Sequence, residues 1–528
     1  MHARNGMVAT SQPLAAMAGL RILMAGGNAA DAAVATAAAL NATEPTSTGI
    51  GGDCFALYYD ASSREVTALN GSGRAPAALT IDLLREQGFK DGLPSAHAHT
   101  ITVPGACAGW CDLVERHGTM PLAEVLAPAI ELAEEGFPVA PITAHNWRLG
   151  ARHQLVNSPG GRELTIDGRG PEAGEIVRLP TLATTLRTVA EGGKEAFYRG
   201  DIARRIAETV QQHGGVMTTD DLAWHASTWD EPISTTYRGL RVWECPPNGQ
   251  GLAALIALNI VEGFDLSEQD PLGVDRLHLM IESMRLAFAD TSWYVADPAF
   301  AQAPLESLLS KRYAEQRRSL INRERATADT TRGAPVGASE TAYLTVVDGA
   351  GNACSFINSL YVGFGTGIVP KGTGISLQNR GHLFNLDPQH PNALAPGKRP
   401  YHTIIPALAT NEDGSLYASF GVMGGYMQPQ GHLQVVVAMV DDGVDPQAAL
   451  DRPRFCLSTP EAQSRVELEE GIASDTSAAL QRMGHDTSTI TGWARSTFGR
   501  GQIIRRDPAT GALSGGSDLR ADGAAIGW

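Results

Sequence analysis

Cysteine is scarce in this sequence, and positive charge is in the minority. Six of the 528 residues are cysteine, and none forms a CxxC pair. Cys107 and Cys111 share a helical face, but no histidine or second pair completes a zinc pattern, so we predict small buried side chains and no metal. Lys and Arg number 41 against 57 Asp and Glu, a formal charge of −16. This charge repels phosphate backbones and anionic lipid, which argues against nucleic-acid and membrane partners.

Long apolar runs are also missing. No segment approaches the ~20 apolar residues that cross a bilayer. The N-terminus "MHARNGMVATSQPLAAMAGL" has polar and small residues where a signal peptide needs a continuous apolar stretch, so we expect a cytoplasmic protein. A hydrophobic content of 43% and a charged content of 19% are typical of globular proteins. The length allows roughly two to four domains, or one large α/β body.

The glycine-rich loop in "GIGGDCFALYYD" precedes a predicted strand, Cys54 to Tyr59. A dinucleotide fingerprint needs its glycines after a strand and at the start of a helix. We therefore predict no phosphate-binding loop here, and nothing in the sequence indicates a cofactor.

Helices dominate the first part of the chain. Ser11-Gln12-Pro13 predicts a helix start with Ser11 as N-cap, and Gly26-Gly27 predicts its end. Asn28 then caps an Ala-rich helix that runs to about Leu40. Its small residues indicate a helix pair packed closely on a sheet.

Strands replace helices at "SETAYLTVVDGAGN". Ala342 to Val347 is apolar or β-branched and Asp348 to Asn352 is a turn cluster, which together predict the first arm of a hairpin. The stretch before it is charged and then rich in Gly, Pro, Ser and Thr, so we expect a flexible, exposed approach. The main boundary of the chain therefore lies just before Thr341.

Thr341 is the candidate nucleophile at that boundary. If the chain is cut before it, the new α-amine lies within reach of its own Oγ and has a pKa near neutrality, so one residue supplies nucleophile and base. The alternative is an ordinary threonine at the edge of a sheet. Ser359, on the second arm of the hairpin, is placed to hydrogen-bond the amine. Gly424-Gly425 in "GVMGGY" is placed to direct backbone N–H groups at a developing oxyanion.

Six stretches follow one another along nearly the whole chain: "MVATSQPLAAMAGLRILMAGGNAADAAVATAAALNATEPTSTGIGGDCF", "VPGACAGW", "YRGLRVWECPPNGQG", "TAYLTVVDGAGNACSFINSLYVGFGTGIV", "PGKRPYHTIIPAL" and "GVMGGYMQPQGHLQ". Together they resemble the γ-glutamyltransferase (γ-glutamyltranspeptidase) family of N-terminal-nucleophile hydrolases. The resemblance implies an α+β fold, a four-layer αββα sandwich, processed into a large subunit of residues 1–340 and a small catalytic subunit of residues 341–528.

The resemblance also implies roles for individual residues. It implies cleavage between Glu340 and Thr341, with Thr341 as the nucleophile. Ser359 stands at the position of a threonine that steadies the nucleophile, and Gly424-Gly425 at the position of the oxyanion hole.

The resemblance fails at the residues that hold the amino-acid end of a γ-glutamyl group. The family uses an Arg, an Asp, an Asn and a Ser pair, and here those positions hold Ser72, Leu383, Tyr361 and His402-Thr403. Breaking an ion pair with a buried charged group costs on the order of several kcal/mol. We therefore expect γ-glutamyl substrates to bind poorly.

The candidate substrate-binding residues offer a cation, a hydroxyl group or an aromatic ring: Ser72, Arg74, Tyr361, Arg380, His402 and Thr403. A guanidinium or an imidazolium among them would bind a small carboxylate. The alternative for each cationic residue is a surface or structural charge that does not contact substrate. Arg399 is a further cation, in a motif that the family shares.

The sequence therefore predicts an amidohydrolase that resembles the oxamate amidohydrolase branch of the family and cleaves a small carboxylate-bearing amide through an acyl-threonine. Two enzymatic alternatives remain: a true γ-glutamyltransferase or glutathione hydrolase, and an amidase related to cephalosporin acylases. A non-enzymatic scaffold would show no chain cleavage. The expected partners are the small amide and the two subunits of one precursor, as a single heterodimer or a dimer of heterodimers.

Overall fold

The computed structural model describes residues 1–327, 340–459 and 464–528. Its strands are β1 (His2–Ala3), β2 (Met7–Thr10), β3 (Asp53–Tyr59), β4 (Val66–Gly71), β5 (Phe137–Pro138), β6 (Ile176–Val177), β7 (Thr228–Asp230), β8 (Ile233–Tyr237), β9 (Leu240–Glu244), β10 (Glu340–Val347), β11 (Ala353–Tyr361), β12 (Ala407–Thr410), β13 (Leu416–Met423), β14 (Phe455–Leu457), β15 (Val466–Glu469), β16 (Thr487–Ile490), β17 (Arg500–Arg506), β18 (Leu513–Ser517) and β19 (Ala524–Gly527). Its α-helices are α1 (Pro13–Met24), α2 (Ala29–Thr43), α3 (Ile81–Glu86), α4 (Ala106–His117), α5 (Leu122–Glu135), α6 (Pro141–His153), α7 (Pro180–Tyr198), α8 (Asp201–Gln212), α9 (Thr219–Ala223), α10 (Gly251–Val261), α11 (Val274–Tyr294), α12 (Leu305–Leu308), α13 (Lys311–Arg318), α14 (Met427–Val440), α15 (Pro446–Asp451) and α16 (Ser474–Arg482).

Two seven-stranded antiparallel sheets form the centre of the molecule. Sheet I has the order β19-β2-β10-β11-β3-β4-β7, and sheet II the order β1-β18-β17-β13-β12-β9-β8. Helices that include α1, α2 and α4 pack on the outer face of sheet I, while α10, α11 and α14 pack on that of sheet II. A third apolar cluster lies between the sheets. The predicted α+β fold with four αββα layers is confirmed.

Strand β10 shows how the sequence builds these layers. Successive side chains of a strand point to opposite faces of its sheet. Leu344 and Val346 accordingly pack against the helices, whereas Tyr343 and Val347 pack between the two sheets. A strand that is covered on both faces needs a nearly continuous apolar run, which is the pattern that follows Thr341.

The chain segments before and after residue 340 both contribute strands to both sheets. In sheet I, β2, β3, β4 and β7 come from the first segment and β10, β11 and β19 from the second. The two segments therefore share one core, because each sheet is complete only when both are present.

The first two helices follow the sequence pattern, with differences at their ends. Gln12 occupies the N-cap position of α1 in place of the predicted Ser11, because the Ser11 hydroxyl donates to the buried carboxylate of Glu44. Asn28 caps α2 as predicted, and this helix continues past the predicted end at Leu40.

The predicted hairpin is present, with β10 and β11 paired antiparallel. The stretch before it, residues 311–339, was predicted to be a flexible approach. That prediction is wrong for its first part, which contains α13, and residues 328–339 lie outside the described residues. All six cysteines are buried, as predicted for Cys107 and Cys111. In the described ranges, every helix is too short or too polar to cross a membrane.

Candidate active site

Thr341 and Ser359 lie side by side at one end of sheet I. Thr341 belongs to β10 and Ser359 to the neighbouring β11, and their hydroxyl oxygens are 3.0 Å apart, which is hydrogen-bond distance. Both side chains are fully buried. The Ser359 hydroxyl also accepts the backbone N–H of Tyr361 at 2.9 Å. The structure therefore brings together the predicted nucleophile and its predicted neighbour.

The ladder between β10 and β11 is irregular at Thr341. Glu340 pairs with Tyr361 and Ala342 with Asn358, so Thr341 alone lies opposite two residues of β11. A bulge of this kind leaves one residue outside the regular pairing and re-aims nearby side chains. The peptide bond between Glu340 and Thr341, predicted to be cut, therefore lies at an irregular point of the strand.

Arg380 is a buried cation beside this pair. It begins a short 3-10 turn, Arg380–Leu383, and has no exposed surface. One terminal nitrogen donates to the Ser359 hydroxyl at 3.0 Å and the other to the Thr403 hydroxyl at 2.7 Å. Burial lowers the pKa of Arg380 to about 10, so the side chain is charged at neutral pH.

The Nε of Arg380 takes part in neither of these hydrogen bonds. This buried N–H has no hydrogen-bond partner among the described residues. A buried donor on a charged group is costly when it is unsatisfied. Arg380 is therefore suited to bind an anion.

Tyr361 and Thr403 complete the Arg380 cluster, which we define as Thr341, Ser359, Tyr361, Arg380 and Thr403. The Arg380 Cζ lies 4.5 Å from the centroid of the Tyr361 ring, a cation–π distance. Tyr361 has a φ of 80°, a left-handed conformation that a bulky side chain rarely adopts. The site thus contains a residue held in a strained backbone conformation, which is common at functional sites.

His402 is held in its neutral form. Its Nε2 donates to the Asp53 carboxylate at 3.1 Å, and its Nδ1 accepts the Ile404 N–H at 3.4 Å. Burial lowers the pKa of His402 well below its ordinary value, and the charges of Arg380 and Arg399 lower it further. The cationic form that the sequence left open for His402 is therefore disfavoured.

Asp53, the first residue of β3, is the carboxylate behind this histidine. Its Oδ1 accepts the N–H of Gly73 at 2.8 Å and that of Gly105 at 3.3 Å. Burial raises the pKa of Asp53 to about 7, although the positive charge of Arg380 opposes that change. Asp53 pairs with Ser359 in the ladder between β3 and β11. Asp53, Ser359 and Thr341 therefore lie at one end of three adjacent strands.

The Gly424-Gly425 pair lies between β13 and α14. The φ angles of these glycines are 136° and 60°, which side chains rarely allow. The Gln250 side chain donates to the carbonyl oxygens of Gly425 at 2.8 Å and Thr403 at 2.6 Å. Gln250 therefore ties the glycine pair to the segment that binds Arg380, while the role of oxyanion hole stays a prediction.

A second group of buried side chains carries atoms that often bind metal. The ligand-type atoms of His278, Glu282 and His485 all lie within 4.8 Å of one another. His278 and His485 contact each other at 2.8 Å, and the Arg285 guanidinium lies 3.6 Å from Glu282. Because this guanidinium already supplies positive charge, we assign the group no metal.

Comparison with known proteins identifies the chain. Residues 15–528 match the family model for γ-glutamyltranspeptidase. The chain belongs to the γ-glutamyltranspeptidase family. The resemblance predicted from the six sequence stretches is thus confirmed, and the protein is an enzyme, an N-terminal-nucleophile hydrolase of amide C–N bonds.

Relatives within the γ-glutamyltranspeptidase family cover the chain almost completely. It is 38% identical to the glutathione hydrolase-like YwrD proenzyme of Bacillus subtilis (strain 168), over 99% of this chain and 98% of that protein. It is 34% identical to the oxamate amidohydrolase proenzyme of Klebsiella pneumoniae, over the full length of both. A crystal structure of cephalosporin acylase from Bacillus halodurans matches with a TM-score of 0.93 and 48% identity, over 100% of this chain and 96% of that one.

In this γ-glutamyltranspeptidase family member, two of the predicted substrate contacts make their hydrogen bonds to residues outside the Arg380 cluster. The Ser72 hydroxyl donates to the Asn70 side chain at 2.6 Å. Arg74 donates to the carbonyl of Ala226 at 3.2 Å and lines a separate surface cavity with Trp224. Their predicted roles as substrate contacts gain no support from these positions.

Two further positions have structural roles. Leu383 belongs to the apolar cluster that contains Tyr361. Arg399 donates to the Ser72 carbonyl and to the Thr228 hydroxyl, both at 3.1 Å. The structural alternative considered for Arg399 fits these contacts.

Asp53 and Gln250 are the site residues that the sequence analysis missed. Asp53 carried a signal, because a carboxylate at the start of an otherwise apolar buried strand is unusual unless it has a partner. Gln250 carried none, since both of its acceptors are more than 150 positions away in the chain.

Proposed function

We propose that this enzyme is a self-processing amidohydrolase that cleaves a small amide bearing a carboxylate close to the scissile carbonyl, as in oxamate. The observation that carries the proposal is the short distance between Arg380 and Thr341. The Ser359 Oγ lies 3.0 Å from the Thr341 Oγ1 and 3.0 Å from the Arg380 Nη2, so that nitrogen is at most about 6 Å from the attacking oxygen.

This distance limits the length of the acyl group. An attacking oxygen begins about 3–3.5 Å from its carbonyl carbon, and a charged N–H···O⁻ contact spans about 2.7–2.9 Å. Together the two contacts span about 5.7–6.4 Å, which is the whole of the available distance. A carboxylate attached to the carbonyl directly or through a very short spacer therefore fits best. The α-carboxylate of a γ-glutamyl group lies three carbons away and would extend past Arg380.

The replaced anchor positions support the same substrate class. Ser72 and Leu383 stand where the family resemblance implies the charged Arg and Asp of the amino-acid clamp. Tyr361 fills the Asn position and packs its ring against Arg380 at 4.5 Å. The charges that would hold a glutamyl amino acid are thus absent from those positions, and the Arg380 cation lies beside the nucleophile, with Ser359 between them.

Processing would begin with attack of the Thr341 Oγ on the carbonyl carbon of Glu340. The C–N bond breaks, an ester forms, and water hydrolyses it to give a Glu340 carboxylate and a Thr341 α-amine. The products are residues 1–340 and 341–528. We expect them to stay together as a heterodimer, because both contribute strands to both sheets.

Catalysis would reuse the same hydroxyl. Thr341 Oγ attacks the substrate amide while its own α-amine takes the proton, and the N–H groups of Gly424 and Gly425 stabilise the oxyanion. The protonated amine gives its proton to the leaving ammonia. Water then hydrolyses the acyl-threonine. Ser359 orients the nucleophile, and Arg380 holds the substrate carboxylate.

A second candidate function is supported by the solved structures. The cephalosporin acylase that matches this chain is 48% identical to it. An acylase of that kind would accept a larger acyl group, and Arg380 would then serve to position Ser359 without contacting substrate.

The test combines processing with substrate choice. Intact mass and N-terminal sequencing should show a small chain that begins at Thr341. The same sample should release ammonia from oxamate and no glutamate from a γ-glutamyl anilide. Amine release from an N-acyl cephalosporin without ammonia from oxamate would replace the proposal with the acylase. An uncut, inactive chain would overturn both.

A further inference from the structure

Asp53 is a buried carboxylate that the proposed reaction does not use. Its oxygens accept hydrogen bonds from the backbone of Gly73 and Gly105 and from His402, and its side chain is fully buried. None of these donors carries a full charge, because His402 is neutral. A buried carboxylate in this setting depends on a positive charge farther away to stay ionised.

Arg380 supplies that charge. It is the cation that most favours ionised Asp53, and Asp53 is in turn the group that most favours charged Arg380. Both residues neighbour Ser359: Asp53 is its partner in the β3–β11 ladder, and Arg380 donates a hydrogen bond to its hydroxyl. Without substrate, these opposite charges balance inside the protein.

A substrate carboxylate disturbs this balance. When it binds Arg380 it satisfies the guanidinium and adds a second negative charge to the region that already holds Asp53. Two carboxylates that share one site cannot both stay ionised at their ordinary pKa, and one takes up a proton.

We propose that Asp53 sets the charge of this pocket, so that a substrate carboxylate binds to Arg380 together with one proton taken from solvent by Asp53. The inference rests on the proposed function, because it requires Arg380 to bind the carboxylate. The only bond formed is the O–H bond of the Asp53 carboxyl group. Asp53 acts through Arg380 and does not touch the substrate, so it is a residue that determines specificity, favouring monoanions over dianions.

The charge of each other titratable group near Asp53 follows from its surroundings. Burial raises the pKa of the Cys54 thiol well above its ordinary value, so it stays neutral. Arg380 and Arg399, whose pKa values burial lowers only to about 10, stay charged. Burial leaves Asp53 with a pKa of about 7. The α-amine of Thr341, freed by processing, is the other group expected to titrate near neutral pH.

The experiment counts protons taken up on binding. Processed enzyme is titrated with pyruvate, which has the carboxylate and carbonyl of oxamate but no amide, by calorimetry in two buffers of different protonation enthalpy near pH 8. The matched variant is D53N, which is isosteric and keeps the α-amine of Thr341.

Wild type should take up close to one proton more than D53N on binding pyruvate. Its Kd should rise about tenfold more than that of D53N between pH 7.5 and 8.5.

Equal proton uptake by the two enzymes would overturn the inference. If D53N fails to process, the infrared difference spectrum of the wild type decides: a new protonated-carboxyl band on binding supports the inference, and its absence overturns it. Failure of the proposed function looks different. In that case oxamate is not hydrolysed and pyruvate does not bind, whereas oxamate hydrolysis without linked proton uptake removes only the role of Asp53.

Discussion

The hydroxyl groups of Thr341 and Ser359 face each other across two adjacent strands at 3.0 Å. The same Ser359 oxygen accepts from Arg380 at 3.0 Å and from the Tyr361 backbone at 2.9 Å. One serine therefore links the proposed nucleophile to the proposed carboxylate site. A substitution at Thr341 or at Arg380 therefore alters the hydrogen bonds of the same buried Ser359 oxygen.

Thr341→Ala should leave the chain uncut and inactive. The substitution removes the only oxygen proposed to attack both the Glu340 carbonyl and the substrate. Intact mass and ammonia release from oxamate measure the two effects. Thr341→Ser is the control, since it keeps a hydroxyl group and should still process. If the alanine variant splits at the same bond, another residue is the processing nucleophile.

Ser359→Ala should lower kcat roughly 10- to 100-fold, because a hydrogen bond to a reacting or charged group contributes about 1.5–3 kcal/mol. KM should rise as well, since Arg380 loses one of its two hydroxyl acceptors. Steady-state kinetics with oxamate checks both values. Ser359→Thr keeps the hydroxyl and should retain most activity. Unchanged kcat in the alanine variant would contradict the positioning role.

Arg380→Met should lower kcat/KM for oxamate by about 30- to 1000-fold, the effect of removing one partner from a buried charge pair. Arg380→Lys should have a kcat/KM between those of Arg380→Met and the wild type, because lysine keeps the charge but lacks the forked guanidinium. Arg465→Met, at an exposed arginine paired with Asp486, is a control expected to be neutral. An equal loss toward a neutral amide of the same size would show that Arg380 does not bind the carboxylate.

Gly424→Ala should lower kcat by about 10²- to 10³-fold with a smaller change in KM, as expected when an oxyanion donor is misplaced. An added Cβ would lie 3.1 Å from the Gly499 Cα and would be strained at a φ of 136°. Gly443→Ala is the matched control, because Gly443 also has a positive φ but nothing lies within 4 Å of its Cβ position. Loss of activity in both variants would indicate general backbone strain.

Asp53→Asn should change how stability depends on pH. The folded-state pKa of Asp53 is about 7 against an ordinary 3.8, so the folded state binds the proton more tightly. The contribution of Asp53 to the free energy of unfolding therefore falls as pH rises from about 4 to 7, by at most about 4 kcal/mol, and is constant above. In the uncut Thr341→Ala background, D53N should gain stability relative to its parent over that window. Denaturant midpoints at pH 5 and pH 8 test this, and parallel profiles would contradict it.

Much of the fold could be predicted from local patterns. The Asn28 cap, the apolar run of β10 and the turn at Asp348 to Asn352 depend on neighbours in the chain, so the sequence shows them directly. Ser11 was the exception. Its hydroxyl donates to the buried carboxylate of Glu44 and does not cap α1, and no local pattern reports that tertiary partner.

The sequence by itself determined the family, because six motifs occur in order, and the candidate nucleophile, because a strand and its turn begin at Thr341. The αββα layers followed from the family resemblance. Only the tertiary structure decided which cations reach the site. Arg74 and Arg380 were both candidates in the sequence, yet Arg380 donates to Ser359 and Thr403 while Arg74 donates to the carbonyl of Ala226. The Asp53–His402 contact joins residues 349 positions apart. Such contacts arise from the packing of both chain segments around shared sheets, which local sequence does not encode.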